Sequence, residues 1–263
     1  MRYILSLSYD GSPFCGWQVQ PSSPSVQQAL EEALAKLCGG PVPVTGAGRT
    51  DTGVHAADYV CHFDLSGSLP FEASDFCYKL NAILPRQIVV HAVLPAPDGF
   101  HARFSAVQRS YTYFIHRRKD PFAAAWSWQC GFPGLDFEAM NEACRYLPGQ
   151  HDFSCFEKVG GANKTSICTL TEAYWKPYVP THVSLMGYGL PSETAGEPPY
   201  WYFRVSADRF LRNMVRAIVG TLIEVGRGKH DPAWVRELIE SGTRSDAGES
   251  VPGHALFLSR VQY

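Results

Sequence analysis

The sequence predicts an α+β fold, with two lobes of mainly antiparallel sheet forming a central cleft. Three observations predict it. The chain has 263 residues, of which 45% are hydrophobic and 18% charged. That is long enough for one large or two small domains and too apolar for disorder. Short apolar runs of period two alternate with segments of helical period. The same plan occurs twice, in residues 1–105 and again in 106–263.

Element by element, Tyr3, Leu5, Leu7 and Tyr9 alternate as a strand with one buried face. A loop over 11–23 follows. Ser25 with Gln28 forms a capping box, Val26, Ala29, Leu30, Ala33, Leu34 and Leu37 follow at helical spacing, and Gly39-Gly40 ends the helix. Residues 59–65 alternate as a strand, 74–83 read as a helix stopped by Pro85, and 88–94 and 110–116 as strands. Phe137, Met140, Cys144 and Leu147 suit a helix, and 165–175 and 200–206 suit strands. A long helix is expected from about Asp208 to Val225. Another begins at Asp231 as N-cap with Pro232 at its first position and Gly242 just past its end, and 255–261 closes the chain as a strand. Residues 177–199 hold five prolines and three glycines and read as an exposed loop insertion. The repeated strand–helix–strand pattern gives lobes of the ferredoxin-like or RNA-recognition-motif-like kind.

Lys and Arg total 23 and Asp and Glu 25, a net charge of −2 that, as a sum, argues against a nucleic-acid partner. The distribution argues the other way. Residues 100–119 carry five basic groups and no acid, residues 201–230 carry six and two, and 16 of the 23 basic residues are Arg. Eight cysteines form no C-x-x-C pair and nine histidines no ligand set, so neither a metal nor a cofactor is expected. No apolar run approaches the roughly 18 residues of a membrane span, and the first residues reach Tyr9-Asp10-Gly11 too soon for a signal peptide. A cytoplasmic protein is expected.

Three segments carry chemistry. Residues 45–56, Thr-Gly-Ala-Gly-Arg-Thr-Asp-Thr-Gly-Val-His-Ala, are neither a dinucleotide fingerprint nor a phosphate loop, because Asp51 stands where each requires glycine. Alone they read as a turn in which Asp51 caps its own backbone. Arg49 two residues earlier tilts the reading toward a catalytic carboxylate. In 100–113, Phe100, Phe104, Tyr111 and Tyr113 interleave with Arg103 and Arg109, which fits either an RNA-gripping surface or a strand with one basic and one buried face. On a helix from 208 onward, Arg209, Arg212 and Arg216 fall on one stripe, with Gly220 close by as a place where something can approach closely.

These residues resemble the TruA-type tRNA pseudouridine synthases. The resemblance runs in order through Tyr9-Asp10-Gly11-Ser12-x-Phe14-x-Gly16-Trp17-Gln18, the Gly46–Ala56 segment, Phe100–Ser105, Arg109-x-Tyr111-x-Tyr113, Gly149-x-His151-Asp152-Phe153, and Phe210–Arg216 through Val225–Lys229. It implies isomerisation of uridine to pseudouridine at positions 38, 39 and 40 of the tRNA anticodon arm, without metal or cofactor. It implies Asp51 as the nucleophile and Arg212 as its partner. It also implies Tyr111 packing on the uracil, Arg49 holding the flipped-out state, and Leu256 lining the uracil pocket. The partners implied are tRNA and a second copy in a homodimer, with no membrane. The tail Ser250-Val251-Pro252-Gly253-His254-Ala255-Leu256 departs from the family's usual form on both sides of its Pro. A non-catalytic RNA-binding protein and a carboxylate-dependent nuclease are the rivals. A pure binder has no reason to place a carboxylate among phosphates, and a nuclease wants a second acid that the sequence does not supply.

Overall fold

The computed structural model describes residues 1–158, 160, 165–187 and 198–263. In chain order its elements are β1 (Arg2–Tyr9), α1 (Val26–Cys38), β2 (Val44–Gly46), β3 (His55–Asp64), α2 (Ala73–Ile83), β4 (Ile88–Pro95), β5 (Gln108–His116) and β6 (Trp128–Gln129). After these come α3 (Phe137–Cys144), β7 (Gly149–Asp152), β8 (Ile167–Pro177), α4 (Thr181–Met186), β9 (Tyr200–Ala207), α5 (Met214–Gly226), α6 (Trp234–Ser241) and β10 (Leu256–Gln262). The fold is α+β, with strands that pair mostly antiparallel. The chain divides into two units, Met1–Arg109 with Phe257–Tyr263, and Ser110–Leu256.

In the first unit the strand order is β4-β1-β3-β10, with β2 paired to β3. β1 pairs antiparallel with both β3 and β4. β10 runs parallel to β3, placing Phe257 beside His55 and Leu258 beside Ala56. Tyr3, Leu5, Leu7 and Tyr9 are buried as the alternation requires. On one face α1 and α2 supply Leu30, Leu34, Phe76 and Leu80 to the core. α1 follows its sequence signals: Ser25 accepts from the Gln28 amide at 3.2 Å and Gly39 caps the other end at φ 75°. The other face is covered by Phe100 and Ala102, which pack on Val60 with Ile4 and Ala96 beside them.

The second unit orders its strands β5-β9-β8-β7, with β6 parallel to β5. β8 pairs antiparallel with β7 and β9. α5 is buried along nearly its whole length and α3 packs against it. The described residues depart from the sequence reading in three places. α5 starts at Met214, not near Asp208, because Asn213 sits at φ 64°, a left-handed conformation that no right-handed helix contains. α6 starts at Trp234, and Asp231 is not its cap: the Asp231 carbonyl accepts from the Trp234 amide in a turn ahead of the helix, while Trp234 stacks on His230 at 3.6 Å. The stretch 177–199 is not loop throughout, since Thr181–Met186 is helical with Val183 buried against Ala123 and Tyr200. Residues 188–197 of that stretch lie outside the described residues.

The close approach expected at Gly220 is made by the chain's own backbone: a Cβ there would stand 1.7 Å from the Glu249 carbonyl oxygen. Gly220→Ala is expected to destabilise the protein by about 2–3 kcal/mol through forced separation of the 247–249 segment from α5. Gly40→Ala, where a Cβ meets nothing within 4 Å, is expected to stay within about 0.5 kcal/mol. Urea unfolding of both variants checks the contrast, and equal midpoints would remove the packing argument.

Candidate functional site

The loop between β2 and β3 carries Asp51. It has no regular ladder, so its backbone groups need partners from elsewhere, and the 10–17 loop supplies them. The Trp17 amide donates to the Thr50 carbonyl at 3.2 Å and the Gly53 amide to the Phe14 carbonyl at 3.3 Å. Two glycines permit this approach. A Cβ on Gly16, which sits at φ 90°, would lie 2.3 Å from the Thr50 oxygen, and one on Gly11 would lie 2.0 Å from the Val54 oxygen. Side chains finish the clamp. The Tyr9 hydroxyl bonds the buried Thr50 hydroxyl at 2.9 Å, the Tyr59 hydroxyl donates to the Gly48 carbonyl, and Trp17 stacks on Tyr59 at 4.2 Å. At the loop's exit, buried His55 accepts the Gly11 amide on Nδ1 at 3.1 Å and stacks on Phe257 at 4.4 Å. Asp10 stands 3.1 Å from the same nitrogen. Burial raises the Asp10 carboxyl, but the Ser12 bonds and His55 outweigh it and hold the group below the usual carboxylate range.

Asp51 emerges from this frame half-buried, between buried Thr50 and exposed Thr52, and its carbonyl accepts from the Val54 amide at 3.1 Å. Arg49 is exposed and donates through Nε to Gln18 Oε1 at 3.0 Å. The bond to the Asp51 carbonyl is a main-chain turn, and the external clamp from 10–17 had no signature in the sequence beyond its glycines. The Tyr9–Thr50 hydroxyl pair was missed, because neither residue type announces a buried bond.

The same unit holds residues 100–109 tightly. Arg2 pairs with Asp64 through both nitrogens at 2.9 and 2.8 Å and donates its third to the Phe100 carbonyl at 2.7 Å. His62 Nδ1 accepts the Ala102 amide at 3.1 Å, and the Tyr263 hydroxyl donates to the Ala102 carbonyl at 2.8 Å. Arg109 Nη2 donates to the carbonyls of Arg103 at 2.7 Å and Ala47 at 2.9 Å. Arg109 therefore ties this turn to the start of the Asp51 loop.

In the second unit, Tyr111 lies half-buried on β5 and meets the Phe210 ring edge-on at 5.0 Å and 87°. Phe210 opens the turn that contains Arg212. Arg212 is exposed and its carbonyl accepts the Lys158 amide at 3.0 Å. Arg209, Arg212 and Arg216 form no helical stripe, since only Arg216 lies on α5. Arg209 donates to the Thr165 carbonyl at 3.1 Å and Arg216 to the Val251 carbonyl at 2.7 Å. The latter bond falls on a strap over 250–252, which is also held by Asn213 to Ser250 Oγ at 2.5 Å, Arg244 Nη2 to Ser250 Oγ at 2.9 Å, the Val251 amide to the Arg216 carbonyl at 3.3 Å and the Tyr113 hydroxyl to the Pro252 carbonyl at 3.0 Å. Leu256, buried, follows the strap after a single turn over 253–255. Tyr111 and the Arg212 turn are thus brought together through Phe210, and Leu256 is placed by the strap. Tyr113 belongs to the core, fully buried, as one of the two readings of the alternation held.

Among the described residues no group of His, Cys, Asp and Glu is disposed to hold a metal ion, and no helix is long and apolar enough to cross a membrane. All eight cysteines are free thiols.

Comparison with known proteins places these features in a family. The profile of the tRNA pseudouridine synthase family matches residues 6–105 and 143–263. A tRNA pseudouridine synthase A of Porphyromonas gingivalis is 46% identical over 262 residues, covering 100% of this chain and 97% of the relative. One of Parabacteroides distasonis is 46% identical over 266 residues, covering 100% and 96%. One of Bacteroides fragilis is 43% identical over 262 residues, covering 100% and 96%.

The His62 anchor has a pH consequence. Burial, then the charges of Arg2 and His101, push its imidazole down to about 4, against the opposing pull of Asp64. Unfolded, the group returns to about 6.5. Between those values the unfolded chain binds a proton that the native chain refuses, so stability falls as pH drops through about 6.5 toward 4. His62→Asn keeps an acceptor near Nδ1 and removes the titration. Its unfolding free energy, measured by urea titration from pH 7 to 4, is expected to change less steeply than that of the wild type; identical slopes would exclude His62 as a source.

Proposed function

The chain belongs to the TruA-type tRNA pseudouridine synthase family, and from that premise we propose that it isomerises uridines 38, 39 and 40 of the tRNA anticodon arm, with Asp51 as nucleophile. The observation that carries this reading is the full-length likeness, in which the chain's most elaborately supported loop is the one that presents a carboxylate. Asp51, Arg49, Tyr111, Arg212 and Leu256 are the residues that act on the nucleotide, in a protein of ferredoxin-like lobes. The working form is a cytoplasmic homodimer across which one tRNA reaches.

The reaction breaks the bond from ribose C1′ to N1 of uracil, turns the base, and joins C1′ to C5; the C5 proton leaves to solvent and the freed N1 takes one up. The Asp51 carboxylate is the nucleophile that releases the base. The carboxylate attacks as the anion, and the Arg212 guanidinium is its partner in the proposed site. Tyr111, fixed against Phe210, packs on the uracil while it turns. Leu256 lines the apolar side of the pocket. Extruding the uridine costs a few kcal/mol of stacking. Arg49, exposed beside Asp51, holds the extruded state against that cost. The clamp beneath the loop means that this carboxylate needs little reorganisation to meet the nucleotide.

Two outcomes test the reading. With tRNA tritiated at uridine C5, Asp51→Asn is expected to lower tritium release by at least about 10³-fold while the variant still binds tRNA. Arg212→Lys retains the charge but loses the fork and is expected to lower kcat by about tenfold or more, with KM for tRNA little changed. Release by Asp51→Asn at the wild-type rate would remove Asp51 from the nucleophile's role.

A further inference from the structure

We propose that Phe104 is a stacking post for an unstacked base of the tRNA, with Arg103 meeting the adjoining phosphate. The inference rests on the reading above and adds a contact to it. The Phe104 ring is 77% exposed. A single exposed apolar side chain is ordinary, but four features set this one apart.

The first is rigidity. The backbone around Phe104 is fixed by Arg2 on the Phe100 carbonyl, by His62 and Tyr263 on the two sides of Ala102, and by Arg109 on the Arg103 carbonyl. His101 Nδ1 accepts the amides of Arg103 and Phe104 at 3.2 and 3.3 Å, and the Ser105 amide closes the turn onto the His101 carbonyl at 2.9 Å. A surface aromatic held this firmly loses little entropy on stacking, which is what a recognition contact needs.

The second is the ring's company. His101 lies at 4.3 Å from it and the Arg103 guanidinium at 5.7 Å from its centroid. A flat ring with a cation alongside matches a nucleobase joined to its phosphate. The third is charge: from 99 to 119 the chain holds no Asp or Glu, so nothing in this segment repels a phosphate. The fourth is placement. Arg109 Nη2 holds the Arg103 carbonyl and the Ala47 carbonyl together, and Ala47 stands four residues before Asp51. The post is thereby fixed to the loop that carries the nucleophile. Extruding a uridine leaves its neighbours without a stacking partner, and a fixed ring at that distance along the chain serves as the replacement.

The test uses the full-length protein, an unmodified tRNA transcript with uridines at 38, 39 and 40, and three variants. Phe104→Leu removes the π-face and is expected to weaken tRNA binding about tenfold, the loss typical of one base–aromatic stack. Phe104→Trp is expected to stay within about twofold. Arg103→Ala is expected to lower the slope of log Kd against log salt by about one. Urea midpoints close to wild type for all three separate recognition from folding. Binding by Phe104→Leu at wild-type affinity overturns the proposal. So does equal weakening by Leu and Trp, and so does a change of oligomeric state in sedimentation, which would make the ring a protein–protein contact. A wild type that binds tRNA but releases no tritium would overturn the isomerase reading and leave the binding result intact.

Discussion

The close passage of two loop backbones, residues 10–17 under residues 48–54, is the constraint on which the rest of the first unit depends. Neither loop has a ladder of its own, and each satisfies the other's amides and carbonyls. Both Gly11 and Gly16 are forced, because a Cβ at either would fall inside the contact radius of a carbonyl oxygen at Val54 or Thr50. Tyr9, Trp17 and Tyr59 then wedge the pair from below as three mutually packed rings. A carboxylate on a free loop would lose its position with every fluctuation of the chain. Here the residues on both sides of Asp51 are held by buried or backbone hydrogen bonds. The sequence pattern Tyr-Asp-Gly…Gly-Trp and the pattern Gly-x-Gly-Arg-Thr-Asp are two halves of one device.

Elements whose signals are local were legible in the sequence. β1 follows from its period of two and α1 from its cap residues, each of which acts over three or four positions. The start of α5 was not legible. Leu211, Met214 and Val215 are buried and, with half-buried Phe210, keep a helical period, yet the chain reverses hand at Asn213. Nothing in hydrophobic spacing reports that reversal. As a result Arg209 and Arg212 precede the helix, where Arg209 donates to the Thr165 carbonyl and the Arg212 carbonyl accepts the Lys158 amide. Gly220 shows a reading that was legible only in part. Close approach was rightly read from the glycine, but the approaching group is the Glu249 carbonyl, a partner 29 positions away that no local pattern names.

The arginine content needs the same care. Concentrated arginine in 100–119 and 201–230 reads from the sequence as RNA-binding surface, and the structure divides it by task. Arg109 and Arg117 hold backbone carbonyls, Arg117 that of Cys130 at 2.6 Å. Arg216 and Arg244 hold the strap, Arg244 reaching the Gly248 carbonyl at 3.1 Å and Ser250 Oγ at 2.9 Å. Lysine has three donors on one rotating centre and cannot bridge such separated acceptors, whereas a planar fork with five donors can. Much of the arginine excess is thus a way of building ordered loops in a chain with a great deal of loop to order.

That division also resolves the net charge of −2. A guanidinium that donates to carbonyls keeps its full positive charge, since carbonyls are neutral acceptors. Arg109 and Arg117, fixed in place, are therefore static sources of positive potential, and Arg103, Arg118 and Lys119 of the same segment are exposed. A mobile surface lysine must be ordered when it meets a phosphate, and a fixed guanidinium has already been ordered by folding. The acids that balance the sum lie mainly outside the two basic segments. A chain can therefore be acidic in total and still offer RNA a localised field, because affinity follows the potential where the backbone of the RNA runs and not the sum over the sequence.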